Sequence, residues 1–149
     1  MREILFRAKR IDNGEWVSGY YVYDYAHNAH FIFKNQLVCP NCINDRRIDY
    51  SVCDYEIDPD TLCQYTGLTD KNGNRIWEND IVLCKKYIGG NFVDYCIEYG
   101  FVEMKYGAYG IHRFKSNEYY RPFKDWLEDY EYEVIGNIFD NTELLKGEG

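Results

Sequence analysis

His27 and His30 stand three residues apart, and Cys39 and Cys42 repeat that spacing a little further on. Two imidazoles and two thiols in such a short window are the donor set of a tetrahedral zinc site. Their order and spacing differ from those of a zinc finger, and Phe31-Ile32-Phe33 would have to serve as the return strand. Cys53 and Cys63 have the chemistry of substitute ligands, but neither forms a second close pair. Buried or loop thiols beside surface histidines are the plainer reading, so no metal ligand is assigned.

Cys39-Pro40-Asn41-Cys42 also has the form of a redox dithiol. That motif works at a helix start in a βαβ context, and the pattern here offers neither. His112 falls on one expected strand and Asp94 and Cys96 on another, with nothing in the spacing to pair them for acid–base or nucleophilic work. Gly89-Gly90 lacks the Lys and Ser/Thr of a phosphate loop. No catalytic or cofactor-binding residue is assigned.

A longer run, QYTGLTDKNGNRIWENDIV from Gln64 to Val82, is dense in Gly, Asn, Asp and Thr. One use for it is a loop that presents Thr66, Asp70 and Asp80 to a substrate. The other is conformational. Asn79 takes a positive φ at less cost than most residues, and Asp80 can accept backbone amides and lock the corner before Ile81. Every polar residue in the run then has a task without any ligand, and steering of the main chain is the expectation.

Residues 125–133 hold five carboxylates, Asp125, Glu128, Asp129, Glu131 and Glu133, interleaved with Trp126, Tyr130 and Tyr132. An acidic face of this kind can imitate the charge of DNA. The wet side of a helix and its following strand accounts for it more simply.

The elements that must position these residues are mostly strands. Ile4, Phe6 and Ala8 alternate with Glu3, Arg7 and Lys9, which is the period of a strand with one wet face. Asp12-Asn13-Gly14 is a turn signal, so residues 3–23 read as a hairpin. Phe31–Lys34 and residues 36–38 read as short strands, and residues 39–60 as a loop-rich excursion marked by Pro40 and Pro59. Gln64–Leu68 and Arg75–Trp77 flank a turn at Asn72-Gly73. Ile81–Tyr87 and Phe92–Tyr99 flank Gly89-Gly90-Asn91, and Gly100–Lys105 and Tyr109–Phe114 extend the meander around Gly107. One helix is expected from Pro122 through Phe123, Trp126, Leu127 and Tyr130. A closing strand spans Tyr132–Phe139, and Asn141 caps a last turn with Glu143, Leu144 and Leu145.

The expected fold is mainly β: small barrel-like antiparallel sheets, SH3-like or pseudo-barrel, with one short helix near the C-terminus. Closure would hide the sheet edges of a chain rich in Tyr and Phe. The 149 residues suit one domain over 1–149, with 46% hydrophobic residues for a core and sixteen Tyr, eight Phe and three Trp for pleated surfaces. A net charge of −8 repels phosphate backbones and anionic membranes, so nucleic acid is an unsuitable partner. No apolar run nears the roughly 20 residues of a membrane span, and the start shows no signal core. The expected location is the cytoplasm of the host cell, with all six cysteines reduced.

Three blocks resemble the YopX family of phage and prophage proteins. Met1-Arg2-Glu3-Ile4 with Phe6-Arg7-Ala8 is similar to its opening strand. Gln64–Leu68, Asp70–Gly73 and Ile76–Val82 form its most diagnostic run. Val134–Ile138 with Asn141, Glu143, Leu144 and Leu145 is similar to its closing segment. Residues 24–60 and 85–130 show no clear match. The family usually has Gly where this chain has Asn79, the swap that a left-handed corner tolerates best. The resemblance implies a mainly β fold with barrel-like curvature and self-association, and it brings no reaction, cofactor or catalytic residue. The expected function is therefore a non-enzymatic β-barrel interaction module, a homo-oligomer that binds a phage- or host-encoded protein. The alternatives are a small zinc-dependent enzyme using the His27–Cys42 region and an acidic DNA mimic that inhibits a host DNA-binding protein.

Overall fold

Phe6 and Ala8 alternate with Arg7 and Lys9 along the first strand, β1 (Phe6–Lys9), and Ala8 is fully buried. The computed structural model describes residues 3–33, 54–88, 91–114, 120–123 and 130–146, with side chains described except at 54, 86–88, 91–98, 120–122, 130 and 146. The chain divides into two compact units, Met1–Tyr65 and Thr66–Gly149.

In the first unit β1 pairs antiparallel with β2 (Trp16–Asp24), Ala8 opposite Val17. The expected turn joins them: Gly14 has φ 71° and its amide donates to the Arg10 carbonyl at 3.0 Å. Next come β3 (Ala29–Phe33), β4 (Asp54–Glu56), a 3-10 turn at Pro59–Thr61 and the start of β5 (Cys63–Thr69). Within this unit the strands lie in the order β4-β3-β2-β1-β5, and the later part of β5 pairs with the next strand of the chain, Arg75–Trp77. Ala8, Val17, Ile32 and Ile57 form the core, with Phe6 and Tyr21 packed at its margin. Gly19 is buried in β2 because the Phe33 carbonyl occupies the place its Cβ would take.

The second unit holds the rest of β5, then β6 (Arg75–Trp77), β7 (Asp80–Ile88), β8 (Asn91–Lys105), β9 (Ala108–Arg113), β10 (Tyr120–Pro122) and β11 (Tyr130–Asn137). A last 3-10 turn spans Thr142–Lys146. Five of these strands lie in the order β10-β9-β8-β7-β11, all antiparallel neighbours. Their core is Ile76, Val82, Cys84, Val102, Ile111, Phe123 and Tyr132. Tyr106 and Gly107 both have positive φ, 54° and 77°, the signature of a primed hairpin turn between β8 and β9.

The architecture is mainly antiparallel β, as the alternation requires. Among the described residues no barrel closes; each strand order has two ends. The expected helix from Pro122 is corrected at both of its margins. Pro122 belongs to β10, which among the described residues ends its sheet and so tolerates a residue with no N–H to donate, while Phe123 directly after it is in 3-10 conformation. Tyr130 opens β11, while Trp126 and Leu127 lie outside the described residues. Gly100 does not break the meander: β8 runs through it, because Ile111 and His112 of β9 come too close for any Cβ there. The closing strand starts earlier and ends earlier than the alternation suggests, at Tyr130 and Asn137. The readings for residues 34–53 and for Gly89-Gly90 fall outside the described residues. No described helix is long and apolar enough to cross a membrane.

The Gly19 contact is testable. Gly19→Ala should destabilise the protein by at least about 2 kcal/mol, since the obstacle is backbone and cannot rotate away. Ser18→Ala, on the exposed neighbour, should stay within about 0.5 kcal/mol. Urea denaturation of both variants checks this.

Candidate functional site

Asp70 follows the last residue of β5, and its carboxylate is surrounded by donors. Oδ1 accepts the Asn72 and Asn74 amides, both at 2.9 Å. Oδ2 accepts the Asn74 carboxamide at 3.3 Å and the Val134 amide of β11 at 3.0 Å. A carboxylate has about four lone-pair sites, so these donors saturate it. The backbone repeats the pattern: Asp70 N–H donates to the Asn74 carbonyl at 2.8 Å, and Lys71 N–H to the Tyr132 carbonyl at 3.0 Å. Burial pushes the Asp70 carboxyl up, but the amides of Val134, Asn74 and Asn72 with the Asn74 side chain together hold it below the usual Asp value.

The corner before β7 is built the same way. Asn79 has φ 66°, the left-handed conformation its residue type suggested. Its N–H reaches the Val102 carbonyl at 2.8 Å and its carbonyl takes the Ile138 amide at 3.0 Å. Asp80 is 1% exposed and its Oδ2 accepts the Trp77 amide at 2.8 Å. Thr66 donates to the Ile76 carbonyl at 2.7 Å and accepts the Leu68 amide at 3.1 Å. Thr66, Asp70 and Asp80, the three side chains weighed as substrate contacts, are thus buried and bonded to main chain.

At the far end of β11, Asn141 does more than begin the last turn. Its Oδ1 accepts the Asn137 amide at 3.1 Å, while its carbonyl receives the Leu144 amide at 3.0 Å. The Asn141 side chain fills the space where a residue at 136 would place its Cβ, so any residue larger than Gly136 would have to displace it from the Asn137 amide. Asn137 Oδ1 in turn accepts the Phe139 and Asp140 amides at 3.0 and 2.9 Å.

Among the described residues, the chemistry-bearing side chains elsewhere are not gathered. His27 Nδ1 lies 2.7 Å from Asp24 Oδ2. That imidazole, against a smaller effect of burial, holds the Asp24 carboxyl below its ordinary value. His30 Nδ1 shares a hydrogen bond of 2.6 Å with the Tyr21 hydroxyl, and the two rings stack. Cys39, Cys42 and Cys53 lie outside the described residues, and Cys63 is buried on β5 with its Sγ 3.3 Å from the Thr61 carbonyl. His112 stacks on Phe101 and approaches Glu103 at 3.3 Å, while the side chains of Asp94 and Cys96 on β8 are outside the description. Among the described residues no three His, Cys, Asp or Glu side chains group as metal ligands. Of the acidic run, Glu131 sits opposite Lys85 in register and Glu133 lies 3.4 Å from Lys71. Those two carboxylates have cations beside them.

Two motifs that are far apart in sequence are therefore one hydrogen-bonded unit, the run around Asp70–Asp80 and the segment around Val134–Asn141. The model of a family described as YopX protein matches residues 5–146, and the chain belongs to that family. Among solved structures, the crystal structure of protein EF1440 from Enterococcus faecalis is similar, with a TM-score of 0.50 and 22% identity over 97% of this chain and 99% of that one. That likeness shows a shared fold. No curated protein matches the chain. Sequence reading found the Asn79 corner and the Asp80 lock. It missed the tie from Asp70 to Val134, for which the only signal was the presence of both blocks in one chain.

Two predictions follow from this geometry. Asn79→Gly should be neutral or stabilising, whereas Asn79→Val should cost on the order of 1–2 kcal/mol, read from thermal melts. Asp70→Asn should cost about 2–3 kcal/mol near neutral pH, because an NH2 group then faces an N–H donor. Since the folded Asp70 carboxyl titrates below its unfolded value, that stability is fully present above about pH 4 and is lost as pH falls through the folded pKa. The gap between wild type and Asp70→Asn should therefore shrink on acidification, measured by denaturant titrations across that range.

Proposed function

We propose that the chain is a non-enzymatic β module that associates with itself and with a phage- or host-encoded protein during the life of a phage or prophage. The observation that supports this reading is the solvent-facing side of the β2–β3 hairpin. Tyr20 and Val22 are 44% and 42% exposed, and they lie opposite Phe33 and Phe31 in the register. They alternate with buried or half-buried Gly19, Tyr21 and Tyr23, so they belong to the other side of the strand. The wet face of an antiparallel sheet ordinarily carries polar residues. An aromatic and aliphatic one has the composition of an interface, where Tyr and Phe are enriched.

The engagement of Thr66, Asp70 and Asp80 with main-chain groups suits the same reading. Side chains spent on fixing loop shape serve a scaffold, and shape is what a docking module must hold constant.

Light scattering on purified protein tests the proposal. Wild type should form a discrete assembly, and Tyr20→Ser with Val22→Ser should weaken it by about tenfold or more, equal to about 1.4 kcal/mol. A wild-type monomer that also recovers no partner from host lysate would contradict it.

A further inference from the structure

Two Asn-Gly pairs occur in the chain, Asn13-Gly14 and Asn72-Gly73. Both are exposed at hairpin tips. Both glycines have positive φ, 71° and 81°, and open space where a side chain would stand. Each glycine amide donates one hydrogen bond of 3.0 Å, Gly14 to the Arg10 carbonyl and Gly73 to the Asp70 carbonyl. The backbones are thus matched, and the side chains are not. Asn13 is held at both ends of its carboxamide: Oδ1 accepts the Glu15 amide at 2.9 Å and Nδ2 donates to Glu15 Oε2 at 3.2 Å. The Asn72 carboxamide makes no hydrogen bond to any described residue; only its backbone N–H is held, by Asp70.

We propose that Asn72 is a spontaneous deamidation site which converts ahead of Asn13, and that its conversion loosens β11 from the Asp70 loop. The reaction needs no cofactor. The Gly73 nitrogen, having given its proton to base, attacks Cγ of Asn72 and closes a five-membered imide. The side-chain nitrogen leaves as ammonia, taking up a proton. Water then opens the imide at either carbonyl, giving aspartate or isoaspartate. Glycine as the following residue leaves the attack unobstructed, and an untethered carboxamide can rotate to meet it. Asparagine is a thermolabile residue for this reason.

The consequence comes from the place of residue 72 in the loop. Isoaspartate carries the main chain through the side-chain carbon, adding one methylene between residue 72 and the Gly73 amide. Asp70 Oδ1 holds the amides on both sides of that insertion, Asn72 and Asn74. The same carboxylate holds Val134, and Lys71 holds the Tyr132 carbonyl. A loop that no longer fits Oδ1 must let Oδ2 shift as well.

The test is to age the full chain at physiological temperature and mildly alkaline pH, then map peptides by mass. The Asn72 peptide should gain one mass unit, with isoaspartate present, several-fold faster than the Asn13 peptide. The converted fraction, separated by ion exchange, should show faster hydrogen exchange at the Val134 and Lys71 amides. Asn72→Gln, whose longer side chain closes the ring poorly, should show neither change. Conversion of Asn13 as fast as Asn72 would overturn the proposal. So would a converted fraction whose Val134 amide exchanges at the parent rate.

Discussion

The carboxylate of Asp70 is the interaction on which the second unit turns. It is 7% exposed and accepts four donors, one of which, Val134, lies 64 residues away. A buried charge without partners is costly, and one whose lone pairs are all filled by N–H groups is not. Those donors are amides of the loop itself and of β11, so ionised Asp70 specifies the loop's shape and its seat together. The arrangement ties the central run of this chain to its closing segment. Each supplies hydrogen-bond partners that the other lacks.

The same contact bears on the sheet edge. Among the described residues β11 ends the strand order of its sheet, where exposed N–H and C=O groups would invite pairing with another chain. Two of those groups, the Tyr132 carbonyl and the Val134 amide, are taken by Lys71 and Asp70. The loop stands in for a further strand. Closure of a barrel is one way to satisfy an edge; a carboxylate beside it is another, and this is the one seen here.

Local chemistry was legible in the sequence and long-range pairing was not. The turn at Gly14, the left-handed Asn79 and the Asp80 lock were readable because each depends on residues within a few positions. The strand periodicity of Phe6–Lys9 was readable for the same reason. Pro122 is the last residue of a strand and Phe123 directly after it is in 3-10 conformation, so the proline marks the approach to a helical turn and not its first position, a difference of one residue that local pattern does not resolve. The boundary expected between Tyr99 and Gly100 is absent for a related reason, since what a glycine admits depends on what lies across from it: the β9 backbone at Gly100, the Asn141 side chain at Gly136. As for the site, the expectation that the polar side chains of the central run have main-chain tasks agrees with the bonds that Thr66, Asp70 and Asp80 make. What it left open was the identity of the Asp70 partner on β11.

If the polar side chains of the central run exist to hold main chain, the proton resonance of the Val134 amide must report the ionisation of Asp70. Following that resonance by NMR while acidifying the folded protein measures the contact itself. A titration with its midpoint below the ordinary Asp value of about 3.9 is what the hydrogen bond requires. A Val134 amide that ignores pH, or one that follows a carboxyl titrating above that value, would mean that Asp70 faces something other than the backbone.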